Sequence, residues 1–243
     1  MSTVIATSLL PDSTANDTLT IGATGDSVAI SGDSLNLNTL QDAGGNNIFV
    51  SNGSGTITST GLPGAMKLIL SQTASGAANV AFTTQLTTTY DVYIFKFINI
   101  GPATDNATLE FQCSTDGGSN YDTTLTSTYV QCYHNEADNS SGLGYDTGKD
   151  QGSGTAYQKI TGVGIGNAAD ECGVGEMVFF SPASTTLVKH WYCTTQIYKQ
   201  DNESFYCLTA GYFNTTSAIN AINFKMDTGN FDGTISMYGI SKS

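Results

Sequence analysis

Short stretches in which apolar and polar residues alternate recur roughly every ten residues from Met66 onward, and clusters of Gly, Asn, Asp, Ser or Pro separate them. A period of two is typical of strands with one buried face, because successive side chains of a strand point to opposite sides of its sheet. The predicted strands are residues 67–73, 79–84, 90–98, 108–114, 123–134, 156–163, 175–181, 187–198, 204–213, 221–226 and 234–240. Many short strands joined by tight turns favour two packed sheets, so we predict a jelly-roll-like β-sandwich over residues 66–243.

Residues 1–60 also alternate, but in shorter units. The apolar positions form pairs separated by turn-forming residues: Leu19 and Ile21, Val28 and Ile30, Leu35 and Leu37, and Ile48 and Val50. Each pair predicts a strand of about three to five residues. Phe49 is the sole aromatic residue of this segment, and the segment has no Lys or Arg, so a single copy could not bury enough apolar surface to fold alone.

We therefore expect identical neighbours to complete residues 1–60 as a homotrimeric stem or anchor, with the paired apolar side chains as the assembly contacts. A monomeric arm that docks on a larger assembly is the alternative. Residues 61–65 contain Pro63 between two glycines, Gly61 and Gly64, which predicts a linker between this short-stranded β segment and the sandwich. The whole chain is thus predicted to be all-β.

The charge balance excludes several classes of partner. The chain has 21 acidic and eight basic residues, a net charge of −13, and every basic residue is a lysine. Because arginine is the side chain best suited to phosphates and base edges, we expect no nucleic-acid partner. No apolar run approaches the length of about eighteen residues that a membrane span needs, and the N-terminus lacks the pattern of a signal peptide. We therefore expect no membrane span and synthesis in the cytoplasm.

The cysteines do not indicate a disulfide framework or a zinc site. Their number is odd, their spacing is wide and the CxxC motif is absent: Cys113, Cys132, Cys172, Cys193 and Cys207. We expect buried, reduced thiols. An oxygen-rich stretch with Asp116, Asn120 and Asp122 fits a calcium loop in part, but it lacks the terminal glutamate of such loops and is predicted to be a hairpin loop. We expect no metal and no cofactor.

Catalytic signatures are missing from the sequence. His190 lies in an alternating strand pattern and is expected to face solvent or an interface, and His134 ends a predicted strand. The familiar nucleophile, zinc-protease, P-loop and dinucleotide motifs are absent. Neighbouring acids could form the paired carboxylates of a glycosidase: Glu136 with Asp138, Asp146 with Asp150, Asp170 with Glu171, and Asp201 with Glu203. Such pairs are expected by chance among 21 acids, so we predict that the chain is not an enzyme.

The strongest candidate binding segment is the long connection from Tyr133 to Tyr157. It holds aromatic, amide and carboxylate side chains among glycines and serines, and the candidate ligand-binding residues are Tyr133, His134, Asn135, Glu136, Tyr145 and Asp146. Long loops on a rigid sandwich commonly carry binding. Rings could cover the apolar face of a sugar while the polar groups bond its hydroxyls. Packing of this loop against a neighbouring subunit is the alternative.

Several short sequence segments of the C-terminal region resemble those of a known group of proteins. They are Lys67-Leu68-Ile69, Tyr90-Asp91-Val92-Tyr93, residues 99–106, residues 114–121, Tyr133-His134-Asn135-Glu136, Gly211-Tyr212 and residues 233–240. In these short sequence segments and in their order along the chain, residues 66–240 resemble a recurrent C-terminal module of tailed-bacteriophage virion proteins. Such proteins are frequent in aquatic phages and are usually regarded as fibre or decoration components. The resemblance implies a virion location and a β-sandwich. The N-terminal segment resembles, in style, the Gly/Asn/Thr-rich stems of trimeric phage fibres.

Together these observations lead us to expect a homotrimeric phage fibre or adhesin. Its N-terminal segment would trimerise and contact other virion proteins, and its sandwich would display loops for weak, multivalent attachment to host surface glycan. A capsid decoration (cement) protein without a receptor is the alternative. A glycan-degrading, tailspike-like enzyme is a third and weaker one.

The trimer is directly testable by mass. We expect the purified chain to have a solution mass of about three times 25.4 kDa in light scattering coupled to size exclusion. A mass equal to one chain, with the N-terminal segment still ordered, would contradict the trimer.

Overall fold

The structure, a computed structural model, describes residues 39–41, 44–51, 57–59 and 66–240. The chain divides into two compact units, Met1–Leu62 and Pro63–Ser243. Every regular element among the described residues is a β-strand, which confirms the predicted all-β class. In that part of the chain, no helix is long and apolar enough to cross a membrane.

The N-terminal unit contains a three-stranded antiparallel sheet in the order β1-β2-β3: β1 (Thr39–Gln41), β2 (Asn47–Ser51) and β3 (Ile57–Ser59). Gly45, in the connection between β1 and β2, has a φ of 80°, a backbone conformation that glycine adopts without strain. Of the predicted assembly residues, Ile48 and Val50 lie two positions apart in β2 and are half-buried. The other predicted assembly residues lie outside the described residues: Leu19, Ile21, Val28, Ile30, Leu35 and Leu37.

The C-terminal unit contains two antiparallel sheets. Its strands are β4 (Met66–Ala77), β5 (Val80–Phe82), β6 (Val92–Pro102), β7 (Leu109–Ser114), β8 (Leu125–Asn135), β9 (Ser141–Tyr145), β10 (Gln158–Lys159), β11 (Gly173–Phe180), β12 (Lys189–Lys199), β13 (Glu203–Phe213), β14 (Ala221–Met226) and β15 (Phe231–Ile240). The small sheet has the order β10-β7-β14-β5, and the large sheet has the order β4-β15-β6-β11-β12-β13-β8-β9. This is a β-sandwich, while its jelly-roll character stays a prediction.

Strict in-register pairing links the strands at the middle of the large sheet. Strands β12 and β13 pair along their whole lengths, from Lys189 opposite Phe213 to Lys199 opposite Glu203, and β13 pairs with β8 in the same way. The odd-numbered Trp191 is buried and its even-numbered neighbour Tyr192 is exposed. The large sheet therefore has an inner face toward the small sheet and an outer face toward solvent.

The core between the sheets is built mainly from aromatic rings. Phe224 of the small sheet is fully buried and lies 5.3 Å, centroid to centroid, from both Phe95 and Phe97 of the large sheet. Its neighbours within the small sheet are Phe82 at 6.4 Å and Phe111 at 6.1 Å. Such tilted and edge-to-face contacts join the two layers through one cluster.

The five cysteines are free thiols. Cys113, Cys193 and Cys207 are buried, whereas Cys132 and Cys172 are half-buried, so the prediction of buried thiols is wrong for these two. Burial raises the pKa of Cys113 and Cys193 well above the ordinary value, which keeps both thiols protonated and unreactive.

Phe224 gives a test of the core. We expect Phe224→Ala to lower the free energy of unfolding by about 3–5 kcal/mol, because the ring leaves a cavity between the sheets. Urea unfolding followed by tryptophan fluorescence measures the change. Tyr206→Ala, on the outer face where the side chain is 46% exposed, is the control and should cost less than about 1 kcal/mol. Equal losses for the two variants would contradict this assignment of the core.

Candidate functional site

The prediction that residues 133–157 form one long loop is wrong. Strand β8 continues to Asn135, and β9 returns beside it as a hairpin. The Asn135 side chain closes the turn, since its Oδ1 accepts hydrogen bonds from the backbone N–H groups of Asn139 (3.1 Å) and Ser140 (3.0 Å). Asp138 adopts a φ of 53° in this turn, a conformation that aspartate tolerates. The candidate residues therefore lie on strands and at a tight turn.

Tyr133 and His134 lie on opposite faces of the large sheet, as neighbours in a strand must. The Tyr133 ring stacks on Phe205 at a centroid distance of 4.9 Å and packs against the core. A Cβ atom on Gly142 of the neighbouring strand would come within 2.7 Å of this ring, so glycine is needed there. Tyr133 is thus a packing residue, whereas His134 faces solvent with 57% of its side chain exposed.

The outer face carries a half-open pocket of about 460 Å³ at the end of strands β8, β12 and β13. We call it the His134 pocket, and its lining residues are His134, Asn135, Glu136, Asp170, Cys172, Gln196, Tyr198 and Ser204. Three of these residues form one row across the sheet, because Tyr198 pairs with Ser204 and Ser204 pairs with His134. The strand register therefore fixes the floor of the pocket, and the connection before β11 supplies Asp170 and Cys172.

Polar contacts organise this pocket. The Tyr198 hydroxyl lies 3.0 Å from Asn202 Oδ1 and 3.3 Å from Glu136 Oε1. Partial desolvation and the neighbouring Glu136 carboxylate raise the pKa of Tyr198, so its hydroxyl stays protonated and can donate. His134 Nε2 lies 3.2 Å from Asp138 Oδ1 at the rim. The pocket thus presents carboxylate acceptors beside hydroxyl and imidazole groups.

The Gln196 amide is a further polar group of the pocket. Its Nε2 donates to the backbone oxygen of Ile197 (3.0 Å) and to Ser204 Oγ (3.3 Å). These bonds hold the amide in place and involve only its nitrogen. The amide oxygen, Oε1, can therefore accept a hydrogen bond from a ligand. Side chains that mix fixed donors and acceptors in this way can bind the hydroxyl groups of a sugar.

Tyr145 and Asp146 do not line the His134 pocket. The Tyr145 hydroxyl donates to the Asp150 carboxylate. Asp146 Oδ1 accepts the backbone N–H of Gly148 (2.9 Å), which makes Asp146 a turn-forming residue. The structure therefore brings His134, Asn135 and Glu136 together and separates Tyr133, Tyr145 and Asp146 from them.

The structure also has an aromatic surface that our site prediction missed. We call it the aromatic strip, formed by Phe180, His190, Tyr192 and Tyr212 around a shallow cavity of about 400 Å³ on the outer face. The rings lie in two pairs, Phe180 with Tyr192 and His190 with Tyr212, each at a centroid distance of 6.0 Å. The sequence pattern could have indicated this surface. Alternation along the strand buries Trp191, so its neighbours His190 and Tyr192 must face outward.

The loop around Asp116 is organised by its own side chains. One carboxylate oxygen of Asp116 accepts the Ser114 hydroxyl (2.6 Å) and the Asn120 N–H (3.0 Å), and the other accepts Asn120 Nδ2 (2.7 Å). These bonds, with Ser114 first, lower the pKa of Asp116 to about 2. Within the described part of the chain, no group of three or more His, Cys, Asp and Glu side chains could hold a metal ion.

Comparisons with known proteins do not assign the chain to a family. Neither protein-family models, nor curated protein sequences, nor solved structures give a significant match to the chain. The resemblance of residues 66–240 to phage virion modules therefore stays a prediction.

Asp116 gives a test by pH. Its folded-state pKa of about 2 lies below the ordinary 3.8, so the loop is stabilised above about pH 3.8 and loses this contribution as the pH falls through about 2. We expect Ser114→Ala to raise the pKa of Asp116 toward 3.8 in a carboxyl ¹³C NMR titration. Ser119→Ala is the control, because the Ser119 hydroxyl donates to the backbone oxygen of Asp116. An unchanged pKa in Ser114→Ala would refute this account.

Proposed function

We propose that this chain is a phage virion structural protein of the fibre or adhesin type, which displays its β-sandwich for attachment to host surface saccharide. The observation that carries the proposal is the His134 pocket, where three side chains singled out for sugar binding meet Gln196 and Tyr198 in one cavity. The role is binding without catalysis, and it needs neither metal nor cofactor.

The chemistry of the pocket suits sugar hydroxyls. The carboxylates of Glu136 and Asp170 accept hydrogen bonds, while Ser204 and His134 can donate them. A sugar hydroxyl needs both kinds of partner, because it donates one hydrogen bond and accepts others. The half-open shape leaves room for a saccharide that continues beyond the pocket.

The aromatic strip supports the same proposal. Tyr192 and Tyr198 lie on the same outward row of β12, six residues apart, which corresponds to roughly 20 Å along the strand. Exposed rings can cover the apolar faces of sugar units, and the polar pocket can bond the hydroxyls at one end. A saccharide chain that lies along β12 would therefore contact both surfaces.

Assembly would strengthen such binding. In the proposed homotrimer, the N-terminal unit joins the copies and contacts other virion proteins, and three sandwiches engage the host surface together. Linking weak sites raises the overall affinity without new contacts.

A second candidate, a capsid decoration protein, is favoured by one observation. Phe180, Tyr206 and Leu208 are large apolar side chains that are 38–46% exposed on the outer face. An exposed apolar patch also suits a protein neighbour. Copy number per virion separates the candidates: a copy number near that of the main shell protein indicates decoration, and a few copies indicate a fibre.

Gln196→Ala tests the pocket. We expect it to weaken binding of purified protein to host cells about tenfold, because a fixed amide loses its contact with the saccharide. Gln200→Ala is the matched control, since Gln200 is exposed beyond the end of β12 and does not line the pocket.

The readout is fluorescence-labelled protein bound per cell, with and without periodate oxidation of the cell surface. Binding should disappear after periodate, which cleaves sugar diols. Binding that survives periodate would contradict a saccharide receptor, and equal binding by both variants would contradict the pocket.

A further inference from the structure

A third cavity, of about 350 Å³, concentrates basic groups in an otherwise acidic chain. We call it the lysine cavity, and it is lined by three lysines, Lys149, Lys159 and Lys199, together with Asp227, Thr108, Asn106 and residues 162–164. The chain has only eight basic residues and a net charge of −13, so three lysines at one cavity are a strong local departure from the rest of the sequence. Lys199 follows Tyr198 in β12 and so lies on the other side of the strand from the His134 pocket.

The three lysines differ in how they are paired. Lys159 Nζ lies 3.0 Å from Asp227 Oδ2, and Lys199 bonds the carboxylates of Asp201 and Glu203. The ammonium group of Lys149 has no hydrogen bond or ion pair with any described residue. Lys149 therefore brings a positive charge to the cavity that no described carboxylate neutralises.

Backbone N–H groups at the cavity provide hydrogen-bond donors in addition to the lysine charge. Gly162 and Gly164 are buried, and within the described ranges no acceptor bonds their N–H groups, whereas those of Val163 and Ile165 are bonded to Thr161 and Ala107. The Thr108 hydroxyl is buried at the same cavity, within reach of the Asp227 carboxylate. A buried donor without a partner is unfavourable, so the two glycine N–H groups favour a ligand rich in acceptors.

Both glycines are required by the close packing at the cavity. A Cβ atom on Gly162 would lie 1.8 Å from the Tyr129 hydroxyl, and one on Gly164 would lie 2.2 Å from the backbone carbonyl carbon of Asn106. Backbone N–H groups in tight turns of this kind can form concave sites for anions.

The cavity is held in shape by buried bonds. Gln158 is fully buried, and its Nε2 donates to the backbone oxygens of Lys149 and Lys159, each at 2.8 Å. Its Oε1 accepts the Ser127 hydroxyl at 2.6 Å. Elsewhere in the lining, Asp227 Oδ1 accepts the Thr108 N–H at 2.9 Å. The segments that carry Lys149 and Lys159 are thus fixed before any ligand binds.

We propose that the lysine cavity binds an oxyanion carried on a saccharide unit, such as a sugar phosphate. The excess of donors selects the anionic group. The cavity volume exceeds what a bare phosphate fills and matches small-ligand sites, which leaves room for a sugar ring beside Asn106 and Asp227. This site is separate from the His134 pocket and does not rest on the function proposed above.

Calorimetric titration of the full chain tests the proposal with three probes: inorganic phosphate, glucose 6-phosphate and glucose. We expect glucose 6-phosphate to bind more tightly than phosphate, and we expect Lys149→Gln to bind glucose as the parent chain does. Lys149→Gln should weaken both anions about tenfold, because it removes a charge-assisted hydrogen bond, and Lys149→Arg should retain them. Lys67→Gln, which removes an exposed lysine of β4, is the matched control and should bind like the parent chain.

The opposite results would contradict the proposal in distinct ways. Failure of both anions to bind, or equal binding by Lys149→Gln and Lys67→Gln, would overturn the oxyanion site. Phosphate that binds more tightly than glucose 6-phosphate would overturn the saccharide part of the proposal. Gln196→Ala should leave the titration with inorganic phosphate unchanged, so a failure here is distinguishable from a failure of the His134 pocket.

Discussion

The pairing of β8, β13 and β12 in one unbroken register is the constraint on which the rest of the sandwich depends. Because side chains alternate along each strand, this register decides at once which residues enter the core and which face solvent. Trp191 points inward, and His134, Ser204 and Tyr198 form a row outside. A shift by one residue would exchange the two sets, so core packing and the candidate binding surface are specified together.

Local periodicity made most of the sandwich predictable from sequence. Each predicted strand after residue 66 overlaps an observed one, because period-two alternation is a property of neighbouring residues. Strand β9 escaped prediction because Gly142 and Gly144 dilute its apolar pattern. Strand β10 is shorter than the predicted 156–163, because the chain turns sharply at Gly162, where φ is 37°.

The sites were less predictable because they depend on contacts between distant parts of the chain. His134, Asn135 and Glu136 could be singled out from the sequence because they are adjacent in it. Gln196 and Asp170 join them only through sheet pairing and a loop some distance along the chain, for which one sequence carries no local signal. The lysine cavity was not predicted for the same reason, because its three lysines come from separate elements that only the fold brings together.

The position of β15 has a consequence for how this protein is made. Strand β15 is the last described strand, yet it lies inside the large sheet between β4 and β6, and it is the sheet partner that joins β4 to the other strands. The sheet therefore cannot close until residues 231–240 have left the ribosome. Chains that stop before β15 leave β4 and β6 each with an unpaired edge and cannot present a finished sandwich.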